Sequence, residues 1–191
     1  MSILKKSNIP NILSVFRICI VPLFVYFFLT YENHYVATFI FLLAGVTDVV
    51  DGILARKNNW ITNIGKVLDP FADKCMQIAA LVCLAVTDLL SWWIAGILIF
   101  KEFVLLVGAF GVLKTKKVYV QSSWYGKAGT VAFYIAVVLF VTVENMTDLT
   151  KMAIGGALIA FMLFAMVMYL INYKKTVFQK DSVKKDSVEV K

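Results

Sequence analysis

Between Asp48 and Asp73 the chain reads Asp48-Val-Val-Asp51-Gly52-Ile-Leu-Ala55-Arg56, then eight residues, then Gly65-Lys-Val-Leu-Asp69-Pro-Phe-Ala-Asp73. Carboxylates in so apolar a chain are costly to keep ionised unless they are paired, hydrated or metal-bound, which makes the cluster a functional site by default. At 100° per residue, Asp48, Asp51, Gly52, Ala55 and Arg56 share an arc of about 140° on one helix face. Gly52 and Ala55 carry almost no side chain, so a ligand can lie against the backbone between the carboxylates and the Arg56 guanidinium. On the next helix Gly65, Asp69 and Asp73 recur every four residues and drift by only about 40° per step, so a second acidic face can meet the first. Pro70 either begins that helix or kinks it. Four carboxylates brought together do not all stay ionised without compensation, and an all-oxygen donor set suits a hard cation such as Mg²⁺ or Mn²⁺. Two such ions side by side make a clamp for displacement at phosphorus, with one carboxylate serving as base. The plainer reading is that the aspartates pair with nearby lysines and arginines and hold a bundle together. Four acids at this spacing, with small residues between them, favour the metal.

The elements that must position these residues are membrane helices. Of 191 residues 61% are hydrophobic and 16% charged, outside the range of soluble domains. The length suits one helical bundle, each span taking roughly 20 residues. Six apolar segments can be drawn, at 12–30, 35–56, 67–87, 91–113, 124–143 and 150–172. The first is too long for a signal sequence and no small-residue cleavage site follows, so it is read as a permanent span. Residues 1–173 then form the membrane domain. Residues 174–191, with Lys180-Asp-Ser-Val echoed by Lys185-Asp-Ser-Val, form a charged tail too polar to bury anything and expected to be disordered.

Basic residues lie in the leader, between the second and third segments (Arg56, Lys57, Lys66), between the fourth and fifth (Lys114, Lys116, Lys117, Lys127) and from Lys174 onward; the other side has only Lys151. The positive-inside rule therefore places both termini and the acidic stretch in the cytoplasm. The net charge of +7 matches anionic headgroups and phosphorylated ligands, and no aromatic-interleaved basic patch points to nucleic acid. Cys19, Cys75 and Cys83 lack metal-ligand or disulfide spacing and read as apolar fillers. His34 reads as a solvated loop residue.

Residues 48–73 match, at every specified position, the signature of the CDP-alcohol phosphotransferases, Asp-x2-Asp-Gly-x2-Ala-Arg-x8-Gly-x3-Asp-x3-Asp. The resemblance implies an all-α integral membrane protein, a six-transmembrane-helix bundle with its site open to the cytoplasm. It implies a reaction that breaks the pyrophosphate of a CDP-linked donor, releases CMP and joins the remaining phosphoryl group to an alcohol. By the same resemblance Asp48, Asp51 and Asp69 are metal ligands for Mg²⁺ or Mn²⁺, two ions in all. Asp73 is the base and also approaches the metals. Thr47, Asp48, Gly52, Ala55, Arg56, Gly65 and Asp69 line the CDP portion, and the molecule is a homodimer in the cell membrane.

Outside the signature, Asn8-Ile-Pro-Asn11-Ile-Leu-Ser14-Val-Phe-Arg17, Leu68-Asp-Pro-Phe-Ala-Asp-Lys74 and Gly126-Lys127 are similar to the phosphatidylglycerophosphate synthases of that family. This implies CDP-diacylglycerol as donor and sn-glycerol 3-phosphate as acceptor, with Arg17, Lys101 and Lys127 as the cations for the acceptor phosphate. Snorkelling is the plainer role for Arg17, and an internal pair with Glu102 the plainer role for Lys101. Two departures from those synthases remove cations: Lys101-Glu102 is followed by Ala109-Phe110 with no second arginine, and the later element reads Gly126-Lys127-Ala-Gly129-Thr130. The stretch from Asp88 to Phe110 also resembles the CMP-forming cardiolipin synthases, whose acceptor is phosphatidylglycerol. From other classes, a UbiA-like prenyltransferase carries its acidic motifs far apart in sequence, and a cation carrier would move metal without releasing CMP.

Overall fold

The structure, a computed structural model, describes residues 9–31, 34–58, 60, 65–115, 124–143 and 146–189. Among the described residues all regular structure is helical: α1 (Ile9–Thr30), α2 (Tyr35–Lys57), α3 (Gly65–Val86), α4 (Trp92–Thr115), α5 (Trp124–Thr142) and α6 (Asp148–Glu189). These helices coincide with the six apolar segments to within a few residues, apart from the end of α6. Local chemistry sets the boundaries. Helix α3 ends at a left-handed residue, Asp88 at φ 57°, with the Asp88 and Leu90 amides donating back to the carbonyls of Ala85 and Leu84 at 3.3 and 3.0 Å. Thr147 caps α6: its Oγ1 accepts the Thr150 amide at 3.3 Å, and Asp148 adds negative charge to the first turn.

Helix α6 runs on to Glu189, so its backbone is helical through most of the segment expected to be disordered. No glycine or proline follows Gly156, and polarity alone argues against burial without arguing against helix, since lysine, glutamine and glutamate are good helix formers. At 1.5 Å per residue the helix is about 63 Å long, about twice the thickness of a bilayer's hydrocarbon core.

The helices close into a ring. Helix α1 packs on α2 and α3, α3 on α4, α4 on α6, α6 on α5 and α5 back on α2, while α3 also touches α2 and α5 from within. Ala72 and Ala80 of α3 are fully buried. One part of the core is aromatic: Phe24 lies 5.5 Å from Phe28 and 5.7 Å from Phe41, and Phe41 stacks on Tyr134 at 4.4 Å. His34 belongs to this packing, its ring stacked on Phe28 at 4.5 Å, where the sequence alone suggests a solvated loop side chain. Gly45 brings α2 and α5 together, for a Cβ there would lie 2.5 Å from Cε1 of Tyr134.

The outer surface is apolar. Trp93, Phe100, Phe39 and Leu149 are each at least 66% exposed, a surface that belongs in lipid. Asn11–Thr30, Tyr35–Leu54 and Asp148–Met168 are long and apolar enough to cross a membrane, and the chain is a membrane protein. Helices α3 and α4 instead carry charge within the bundle, partly buried at Asp69, Asp73 and Lys74 and buried at Lys101 and Glu102.

Substituting Gly45→Ala is expected to force the Tyr134 ring aside and to destabilise the bundle by about 1–3 kcal/mol. Thermal unfolding in detergent reads this as a lowered midpoint, and an unchanged midpoint would contradict the close α2–α5 contact.

Candidate active site

The beginning of α1, the end of α2 and the beginning of α3 meet, as expected of consecutive antiparallel helices. From α2 come Asp48 and Asp51, one turn apart, and from α3 Asp69. One carboxylate oxygen from each lies within 4.8 Å of the others. Helix α1 supplies the partners. Arg17, with no exposed side-chain surface, sets Nη1 against Oδ1 of Asp48 and Nη2 at 2.6 Å from Oδ2 of Asp51. Ser14, three residues earlier and therefore on the same helix face, donates its hydroxyl to Oδ1 of Asp69 at 2.7 Å.

The cluster is electrically incomplete. Three carboxylates face one guanidinium, leaving an excess of two negative charges among the described residues. Asp51 is wholly buried, and its Oδ1 receives no hydrogen bond. A buried carboxylate oxygen without a donor is costly, whereas an all-oxygen pocket with two surplus negative charges is the environment a divalent cation requires. The residues fit a metal. Asp48, 34% exposed, keeps the cluster in touch with solvent, whereas Asp51 is closed off from it. The alternative in which the aspartates simply pair with a neighbouring cation is partly realised by Arg17, which takes one oxygen each from Asp48 and Asp51 and leaves the third carboxylate to Ser14.

Asp73 stands outside the three-carboxylate group, although it lies within electrostatic reach of Asp48. It belongs to a second polar network. Nε2 of Gln77 donates to both of its oxygens, at 3.2 and 3.1 Å, and Nζ of Lys74 lies 3.1 Å from Oδ2. Lys74 also reaches Oε2 of Glu102 on α4 at 2.8 Å, and Glu102 pairs with Lys101. Here two carboxylates meet two ammonium groups, so the charges balance.

The remaining expected residues fall as follows. Thr47 spends its hydroxyl proton on the Ala44 carbonyl at 2.7 Å, leaving its oxygen lone pairs for a ligand. Gly52 and Gly65 are partly exposed on the faces carrying the aspartates. The side chains of Ala55, Arg56 and Lys127 lie outside what is described. Arg17 and Lys101, both expected at an acceptor phosphate, sit in separate ion-pair networks, Arg17 among the clustered carboxylates and Lys101 beside Glu102 with its Nζ 3.2 Å from Sδ of Met162. Sequence reasoning missed Ser14, Lys74 and Gln77 as site residues. A signal was present for each: Ser14 is three residues before Arg17 in an apolar helix, and Lys74 and Gln77 are one and four residues after Asp73.

The family model for CDP-alcohol phosphatidyltransferase matches residues 7–178. Among curated relatives, the CDP-diacylglycerol–glycerol-3-phosphate 3-phosphatidyltransferase of Haemophilus influenzae is 40% identical over 137 residues, covering 69% of this chain and 74% of its own length. The Bacillus subtilis protein of that name is 35% identical over 144 residues, 68% of this chain and 74% of its own length. The Escherichia coli K12 protein of that name is 33% identical over 173 residues, 86% of this chain and 94% of its own length. With its aspartates converging where three helix ends meet and its length matched almost throughout, the chain is a CDP-alcohol phosphatidyltransferase.

Proposed function

We propose that this enzyme transfers the phosphatidyl group of CDP-diacylglycerol to sn-glycerol 3-phosphate, releasing CMP and forming phosphatidylglycerophosphate, a step of phospholipid synthesis. The observation that carries the reading is the convergence of Asp48, Asp51 and Asp69 with two negative charges in excess. The relatives named above, which bear the name of this activity, favour this acceptor over phosphatidylglycerol.

Asp48, Asp51 and Asp69 hold Mg²⁺ or Mn²⁺, two ions where the donor is bound. When bound, divalent cations supply the positive charge that offsets the pyrophosphate oxygens and the departing CMP. Arg17 orients the ligands from behind: by taking Oδ1 of Asp48 and Oδ2 of Asp51 it leaves Oδ1 of Asp51 for the metal. Ser14 does the same for Asp69. Thr47, Gly52, Ala55, Arg56 and Gly65 line the CMP moiety, with the two glycines letting it approach the backbone. Asp73 takes the proton of the acceptor hydroxyl as that oxygen bonds to the phosphatidyl phosphorus and the bond from phosphorus to the CMP oxygen breaks. Lys101 and Lys127 are assigned to the acceptor phosphate. Arg17, its two terminal nitrogens already engaged, is assigned to the carboxylates instead. The six helices each cross the cell membrane, with both termini and the site on the cytoplasmic side, in keeping with the distribution of Lys and Arg, and the enzyme works as a homodimer.

Purified protein given CDP-diacylglycerol, sn-glycerol 3-phosphate and Mg²⁺ or Mn²⁺ is expected to form CMP and phosphatidylglycerophosphate in equal amounts, and to stop when the metal is chelated. CMP release with phosphatidylglycerol but not with glycerol 3-phosphate would replace the acceptor. Asp73→Asn is expected to lower turnover by about 10²–10⁴-fold while donor binding persists; turnover at the unsubstituted rate would remove Asp73 as base. Arg17→Lys keeps the charge and loses the fork, and is expected to raise the metal concentration for half-maximal binding by about 10–100-fold. Titration with Mn²⁺ followed by electron paramagnetic resonance measures that binding without turnover, and an unchanged curve would sever Arg17 from the metal ligands.

A further inference from the structure

We propose that Gln77 is a positioning residue for the Asp73 carboxylate, locked in its orientation by Lys74 and, through Lys74, by Glu102 of α4. The inference rests on the reading of Asp73 as the base. Gln77 is 1% exposed, and its buried neighbours along α3 include Met76, Ala80, Leu81 and Leu84. Burial at such a position selects an apolar side chain, and an amide is tolerated only where its groups find partners. Here they do. Nε2 lies 3.2 and 3.1 Å from the two oxygens of Asp73, and Oε1 accepts from Nζ of Lys74 at 3.1 Å.

Chemistry fixes which way round the amide sits. An ionised carboxylate only accepts and an ammonium only donates, so turning the amide over would set like against like at both ends. Spacing on the helix does the rest. Gln77 lies four residues after Asp73 and three after Lys74, the two separations at which helical side chains meet. Lys74 is held in turn by Glu102 at 2.8 Å, so the arrangement is anchored on a second helix rather than on one flexible side chain.

The consequence concerns proton transfer. Gln77 engages both oxygens of Asp73 from one side, which holds the plane of the carboxylate; with Nζ of Lys74 also on Oδ2, it is Oδ1 that keeps a further lone pair for an incoming hydroxyl. The acceptor's O–H proton then passes to Asp73 as its oxygen bonds to phosphorus and CMP leaves with the electrons of the broken P–O bond. A base free to rotate reaches that geometry less often, which costs turnover while donor affinity stays the same.

Gln77→Met retains length and approximate volume and lacks the donor. It is expected to lower kcat by about 10- to 100-fold, with the KM for CDP-diacylglycerol, Mn²⁺ binding and the unfolding midpoint unchanged. In an Asp73→Asn background the same substitution is expected to change nothing further, because its effect passes through Asp73. An unsubstituted kcat in Gln77→Met would overturn the proposal, as would a loss of kcat matched by a lowered midpoint, which marks a packing role. If Asp73→Asn alone keeps full turnover, it is the reading of Asp73 as base that fails. Should Gln77→Met not accumulate as folded protein, Gln77→Leu removes the donor without adding a charge beside Asp73; the same loss of kcat supports the positioning role and full activity refutes it.

Discussion

The Arg17 guanidinium is the charge on which the arrangement of the first three helices depends. It has no exposed surface, and a charge so placed costs several kcal/mol unless it is paired. The pairing requires Asp48 and Asp51 to face α1 together, which sets the rotation of α2 about its axis. Ser14, on the same face of α1, then requires Asp69 of α3 to arrive at the same place. One buried cation and one hydroxyl thus turn two acidic helix faces toward each other. The arrangement that pairs Arg17 is also the one that gathers the three carboxylates.

The rest of the bundle divides its core by chemistry. Phe24, Phe28, Phe41 and Tyr134 interlock where α1, α2 and α5 pack together, and Gly45 admits Tyr134 to the surface of α2 one turn before Asp48. The polar residues form two networks with opposite electrical character. Lys74, Lys101, Asp73 and Glu102 balance, so that network is complete as it stands. Asp48, Asp51 and Asp69 outweigh Arg17, so that one has a charge and an oxygen donor set that fit a divalent cation. Both hang on α3, which contributes Asp69 to the first and Asp73, Lys74 and Gln77 to the second, and which touches α1, α2, α4 and α5.

Much of this is legible along a single helix. Apolar runs locate the six helices because side chains facing lipid and side chains facing the core are both apolar, and the 100° repeat places the aspartates of each helix on one face. What lies between helices is less legible. Arg17 reads as a headgroup or phosphate ligand because nothing in its own segment says that α2 will present two carboxylates to it. Lys101 offered two readings, and its pairing with Glu102 is the plainer of them. Gln77 passes unnoticed since an amide four residues after an aspartate is common on exposed helices, and only burial gives it meaning. The end of α6 is hard to read for a different reason: a polar, charged sequence gives no pattern that calls for burial, but it also lacks glycine or proline to break a helix already under way.

The separation of Asp73 from the other three aspartates follows from these contacts, and the proposed division between metal ligands and base rests on it. Asp73 lies one helical turn beyond Asp69 on the same face of α3, within electrostatic reach of Asp48. Gln77 and Lys74 offer its oxygens donors on the far side, and Glu102 fixes Lys74 there. Asp69 and Asp73, one turn apart on one helix, thus meet neighbours that differ: a serine on α1 bonds Asp69 at the cluster, and an amide and an ammonium on its own helix bond Asp73 outside it.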